Sequence, residues 1–240
     1  MDTSGIFNRI SGSYNALNHI FSLGIDKLWR REAVGYLKDN LPQGARVLDE
    51  ACGTGDLTLL EAKNGFNVTG IDISVNMLEI AKKRVGRFYM SNRCRRTRSA
   101  HIPELMLGDA AKLPFQDDSF DAVSIAYGIR NFNDRAAALS EIKRILKPGG
   151  HLMILEFAEP KNRLLRFCYR IYFRHLVVFL AKLLTLGKEH GAFSYFVQSV
   201  DKFPKFERFC NEIAGAGLSD VRFKSQSGGI SVLYTARKRS

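Results

Sequence analysis

Cysteine is scarce in this 240-residue chain: Cys52, Cys94, Cys168 and Cys210 lie far apart and no two form a CxxC pair. That argues against a disulfide framework and against a structural zinc site, and no metal is expected. A reducing, cytoplasmic compartment is the expected home. The N-terminal stretch MDTSGIFNRI has no cationic region followed by an apolar core, and no apolar run approaches the ~20 residues that span a bilayer. There is no internal repeat, and no low-complexity tract longer than one arginine-rich segment. What the last third lacks is acid. Residues 161 to 240 carry 15 Lys and Arg against 5 Asp and Glu, whereas residues 1 to 160 carry 21 against 19. Lys82 to Arg98 adds eight basic residues with no acid, so two basic patches sit on an otherwise acidic domain. Such patches point to an anionic surface, either nucleic acid or phospholipid headgroups.

With 45% hydrophobic residues, the chain is long enough to bury a full core as one domain, or one domain with a cap. Strand-like runs (RVLDEA, NVTGID, ELMLGD, DAVSIAY, HLMILEF) alternate with helical patterns at 56–65, 74–85 and 133–146. That order predicts a parallel sheet with crossover helices. The helix at 133–146 starts on Asn133 or Asp134 as cap and stops at KPGG. LSDVRFKSQ and ISVLYTARK, separated by Gly228-Gly229, predict a closing hairpin.

In an open sheet of this kind ligands bind beyond the carboxyl ends of the strands, and VLDEACGTGD (47–56) lies at such an end. A glycine turn that opens a helix often holds phosphate, because the helix N-terminus favours negative charge. Here Asp49, Glu50 and Asp56 surround the turn and would repel a pyrophosphate. The turn suits a ligand with hydroxyls or positive charge that approaches closely enough to need Gly53 and Gly55 without Cβ atoms. Thr58 stands where a dinucleotide fingerprint has its third glycine. Asp72 ends the next strand, where a carboxylate takes both hydroxyls of a ribose; NAD and S-adenosylmethionine sites share that acid. The plain alternative for Asp49 is a strand-end or capping acid.

The segments C-terminal to Asp72 discriminate between these two cofactors. GDAAKLPF (108–115), FDAVSIAYGIRN (120–131) and EIKRILKPGGHLMILE (141–156) together resemble the class I S-adenosylmethionine-dependent methyltransferases. The resemblance implies an α/β fold with a seven-stranded, mostly parallel sheet, an antiparallel last hairpin strand, helices on both faces and a helical cap. It also implies S-adenosyl-L-methionine as cofactor, held by Asp49, Gly53, Gly55, Thr58, Asp72, Asp109, Ala110 and Ala126, with Asp109 reading the adenine amino group. An acidic glycine turn fits this cationic sulfonium, which carries a ribose and no phosphate.

YNALNHIFSLGIDKLW (14–29) and RILKPGGHLMILEFA (144–158), with GIRN (128–131), YRIYF (169–173), FVQSVDKFP (196–204) and GGI (228–230), resemble the quinone C-methyltransferases of ubiquinone and menaquinone biosynthesis. The sequence departs from that family's pattern at Asn15, Asp26, Ala126 and Ala158, and its segment from Gly86 to His101 is longer. The resemblance implies C-methylation of a lipid-tailed, polyprenylated quinol, with Arg130 and Asn131 facing the ring and Tyr14 closing over the methyl group. The acceptor must be the reduced quinol, because an electron-rich ring carbon has to attack the sulfonium methyl. A guanidinium stays protonated, so Arg130 is expected to hold the phenolate, or a water that relays its proton, rather than act as a free base.

Arg163, Arg166, Arg170 and Arg174 recur at spacings of three, four and four, which places them on one stripe of a helix over 162–184. The functional reading is a lid on a lipid-tail tunnel that rests peripherally on an anionic membrane; the ordinary one is a core-facing helix with a solvated cationic side. The expected organisation is one domain over 1–240: entrance helices at 1–40, a cofactor-binding core at 41–158, a helical cap at 159–205, and a terminal helix and hairpin at 206–240. Other classes are a small-molecule O- or N-methyltransferase and an RNA-binding methyltransferase. The second lacks the aromatic and basic interleaving that single strands require, so no specific nucleic acid is expected. The sequence leaves a homodimer open.

Overall fold

A computed structural model describes residues 22, 24–90, 101–171, 195 and 198–240. Apolar runs of short period make seven strands: β1 (Arg46–Glu50), β2 (Asn67–Asp72), β3 (Glu104–Leu107), β4 (Phe120–Ala126), β5 (Leu146–Phe157), β6 (Ser219–Gln226) and β7 (Ser231–Arg237). They form one sheet in the order β3-β2-β1-β4-β5-β7-β6, and only β7 runs antiparallel to its neighbours. Successive strand residues point to opposite faces, so each strand feeds two cores: Val47 joins one and Leu48 the other.

Helix α1 (Asp26–Asn40) buries Trp29, Ala33, Val34 and Leu37, a spacing that makes a single helical stripe. That stripe shares a core with Val47, Val68 and Phe157, and with Leu57 and Ala62 of α2 (Asp56–Lys63). On the opposite face Leu139, Ile142 and Ile145 of α4 (Arg135–Ile145) meet Phe209 and Ile213 of α6 (Glu207–Gly215). Each such buried side chain contributes about 1.5–3 kcal/mol relative to exposure. Helix α3 (Val75–Met90) packs on β2 and β3 and runs five residues beyond the expected end.

Asp134 is the cap of α4: its Oδ1 accepts the Ala137 N–H at 2.9 Å. KPGG stops this helix as expected, but β5 takes it up at once. Leu146 pairs with Phe120, and pairing resumes at His151 opposite Ala122, with the intervening residues bulging out. The β6–β7 turn at Ser227–Gly229 is tied to α1, whose Trp29 Nε1 donates to Ser227 Oγ at 2.9 Å.

Of the expected cap, the described residues include α5 (Arg163–Ile171). Tyr14, Arg174 and most of the arginine-rich segment lie outside the described residues. No helix among the described residues is long and apolar enough to cross a membrane.

Candidate active site

Beyond the carboxyl ends of β1, β2, β3 and β4, the connecting turns surround a cavity of about 330 Å³. The turn after β1 bends through positive φ at Ala51 (56°), Gly53 (55°) and Gly55 (81°). At Gly55 a Cβ would also meet Ala81 Cβ at 3.3 Å, whereas one on Gly53 would have nothing within 4 Å. Gly55 thus serves packing against α3. Gly53 leaves open room at the cavity wall.

Asp72 at the end of β2 fixes that turn. Its Oδ2 accepts the Gly53 N–H at 2.7 Å and its Oδ1 accepts the Ser74 N–H at 2.8 Å. Burial raises its pKa, opposed by those donors. Asp49 is 1% exposed, and its Oδ2 accepts from the Thr58 hydroxyl. Burial pushes its carboxyl up to about 7 in spite of that bond, with nearby Asp72 adding to the rise. Glu50 is fully buried, neither of its carboxyl oxygens has a hydrogen-bond partner, and burial holds it well above the usual carboxylate range. From α3, Arg84 donates to Thr54 O at 3.0 Å and Thr54 Oγ1 at 2.9 Å and pairs with Asp56. An arginine of the basic run therefore clamps the turn.

A 3-10 turn after β4 carries Ile129–Asn131. Arg130 Nη1 forms a 2.7 Å ion pair with Glu156 Oε1 of β5, both side chains almost wholly buried. It also donates to Tyr127 O, and Arg130 Nε donates to Ser199 Oγ at 3.3 Å. Asn131 Oδ1 accepts from Tyr195 at 3.2 Å.

Asp49, Gly53, Asp72, Asp109, Ala110, Ala126 and Asn131 line the cavity together. Gly55, Thr58 and Arg130 stand behind its wall: Gly55 against α3, Thr58 on Asp49, and Arg130 on Glu156. Tyr14 lies outside the described residues. Sequence reasoning missed Glu156, which carries no local signal because its partner is 26 residues away. It also missed Arg30, which lines the cavity from α1 and directly follows the DKLW stretch at 26–29. Among the described residues no group of three or more His, Cys, Asp or Glu is placed to hold a metal.

The wall is acidic, with Asp49, Asp56, Asp72 and Asp109 around an open glycine turn. Such a wall fits a ligand with ribose hydroxyls and positive charge, and S-adenosylmethionine has both. Asp72, Asp109, Ala110 and the turn after β1 all face this one cavity. Fold and site together define a class I S-adenosylmethionine-dependent methyltransferase. A solved S-adenosylmethionine-dependent methyltransferase from Thermotoga maritima shares the fold at a TM-score of 0.64 and 21% identity, covering 99% of this chain and 100% of that one. The ubiE/COQ5 methyltransferase family model matches residues 2–238, and the chain belongs to that family. It is 38% identical over 235 residues to a demethylmenaquinone methyltransferase of Bacteroides fragilis, covering 97% of this chain and 91% of that protein. Identity is 36% over 236 residues to a ubiquinone/menaquinone biosynthesis C-methyltransferase of Geobacter sulfurreducens, with 97% and 87% covered.

Proposed function

We propose that this methyltransferase C-methylates the ring of a polyprenylated quinol, a demethylmenaquinol or a 2-polyprenyl-6-methoxy-1,4-benzoquinol, while resting on an anionic membrane. When bound, the cofactor supplies an electrophilic methyl group. The chain must orient the ring and stabilise the negative charge that its hydroxyl oxygen gains. Asn131 lines the cavity, and its amide nitrogen, with no partner among the described residues, is a donor for that oxygen. Next to it in the chain, the Arg130 guanidinium is fixed by Glu156, and its permanent positive charge is the cation assigned to the developing phenolate. Preorganised charge of this kind is the largest single term in many enzymes.

The observation that carries the reading is this buried pair, whose arginine immediately precedes Asn131, in a chain that matches the family over nearly its full length. For the membrane, support comes from α5. Leu164 is 73% exposed, Phe167 62% and Ile171 46%, an apolar strip in a region of strong positive charge. Arg166 donates back to Pro160 O at 2.8 Å and Lys161 O at 3.2 Å, so the apolar strip, more than an arginine stripe, is what α5 offers to a bilayer. The mass of the quinones in a deletion strain tests the reading. A species short by one methyl group names the acceptor, and an unchanged quinone pool would overturn it.

A further inference from the structure

The acidic character of the cavity raises a problem at the cofactor's amino-acid end. That end carries an ammonium, which suits the carboxylates, and also a carboxylate, which they repel. Among the described residues lining the cavity, Arg30 is the one Lys or Arg. Its charge sits on α1, 7% exposed, with the guanidinium carbon 5.0 Å from the centroid of the Tyr127 ring. Asp26, one helical turn earlier, accepts from Nη1, and Asp26 is in turn fixed by the Ser22 hydroxyl at 2.8 Å. That pairing uses one side of a five-donor fork. Arg30 Nε is buried with no hydrogen-bond partner, and no partner for Nη2 exists among the described residues.

Leaving buried donors of a charged group unmade is costly, and a buried unsatisfied group in a native fold calls for an explanation. A bound carboxylate provides one, because its two oxygens match adjacent guanidinium N–H groups in a bidentate pair. Asp56 lies within electrostatic reach of Arg30, and so does Asp49. The ammonium and carboxylate of one amino acid therefore find opposite charges side by side.

We propose that Arg30 binds the carboxylate of the cofactor's amino-acid end, with Asp26 and Ser22 as residues that position the guanidinium. The assignment rests on the methyltransferase site and adds to it the residue that distinguishes the intact cofactor from its adenosine part.

Calorimetric titration of the full chain with S-adenosylhomocysteine and with 5′-methylthioadenosine, which lacks the amino acid, tests it. Two variants are used, because removing Arg30 alone would also take from Asp26 the guanidinium it pairs with. They are Arg30→Lys and the double variant Asp26→Asn/Arg30→Gln, each checked for a cooperative melt. Loss of a charge-assisted pair predicts that the double variant binds S-adenosylhomocysteine about ten- to hundredfold more weakly. The lysine variant should fall in between, and 5′-methylthioadenosine affinity should stay within about twofold. Equal changes for both ligands, or no change for either, would overturn the role of Arg30. Failure of the parent protein to bind either ligand would instead overturn the cofactor site itself.

Discussion

Arg130 and Glu156 form a buried ion pair across the ends of β4 and β5, Nη1 to Oε1 at 2.7 Å, with side-chain exposures of 1% and 0%. Glu156 also accepts the Arg130 N–H at 3.4 Å through its other oxygen, so the arginine's backbone and side chain are held by one carboxylate. Burial raises the Glu156 pKa, and the guanidinium charge opposes that rise. The pair costs desolvation and is weak evidence of a gain in stability. Arg130 immediately precedes Asn131, which lines the cavity.

Arg130→Lys should accordingly lose turnover far more than cofactor affinity. A lysine ammonium can keep the ion pair with Glu156, but it has no planar fork to reach Tyr127 O and Ser199 Oγ as well. Loss of preorganised stabilisation of this kind typically costs on the order of a hundredfold in rate. Single-turnover kinetics alongside S-adenosylhomocysteine titration separate the two quantities. A rate within a few fold of the parent would remove Arg130 from the chemistry.

Asp49 gives cofactor binding a pH dependence. Its carboxyl is pushed up to about 7 by burial, so in the empty site it is largely neutral at pH 6 and largely ionised at pH 8. A cationic ligand favours the ionised form. Affinity for S-adenosylmethionine should therefore rise as pH increases through about 7 and level off above it. Asp49→Asn, which keeps an acceptor for Thr58, should bind more weakly at pH 8 and flatten the profile between 6 and 8. An asparagine variant with the parent's slope would show that another group titrates.

Glu50 has the opposite meaning. It is buried, without a hydrogen-bond partner for either oxygen, and its pKa lies well above the usual 4.5. A group whose pKa is raised on folding contributes stability that is complete below its unfolded pKa and is lost as pH rises through the folded one. The loss should thus begin above about 4.5, the ordinary value for glutamate. Glu50→Leu removes an unsatisfied acid from the strand position paired with Ile71 and should stabilise the protein by ~1–3 kcal/mol at pH 8, with little gain at pH 4. Urea titration at both pH values measures the difference. A leucine variant less stable than the parent at pH 8 would mean that the carboxyl is satisfied in solution.

The sheet was legible because its information is local. Strand-like apolar runs, an aspartate cap and a glycine pair each carry their own signal, and the seven strands contain the runs those signals pick out, with β5 starting five residues early at Leu146. Asp49, Asp72 and Asp109 were legible for the same reason, since each lies within two residues of the end of a strand. Arg30 and Glu156 were not. Each has a meaning set by a cavity or by a partner across the sheet, and neither spacing nor composition encodes those. Thr58 was legible as a departure from a dinucleotide turn and, through the resemblance, as a cofactor-binding residue; its place behind the cavity wall as the hydroxyl donor to Asp49 needs the fold. Helix α5 shows a different limit. Periodicity divides a helix into two faces without saying which one is covered, and here the exposed side includes Leu164 and Phe167.

That exposed side leads to the membrane prediction, in which magnitudes decide between charge and apolar contact. Burying a leucine or phenylalanine side chain contributes about 1.5–3 kcal/mol, against about 1 kcal/mol for an arginine near an anionic surface, weakened further by salt. If α5 docks on a bilayer, Leu164→Asp/Phe167→Asp should abolish sedimentation with anionic vesicles, whereas Arg163→Gln should only reduce it and leave it more tolerant of salt. Both apolar side chains are exposed in the protein, so the double variant should melt within a few degrees of the parent. Turnover of a tail-less quinol in solution should survive, because neither residue lines the cavity, and turnover of a long-tailed quinol in vesicles should collapse. Vesicle binding by the double variant equal to that of the parent would show that α5 is an ordinary surface helix and that the tail reaches the site by another route.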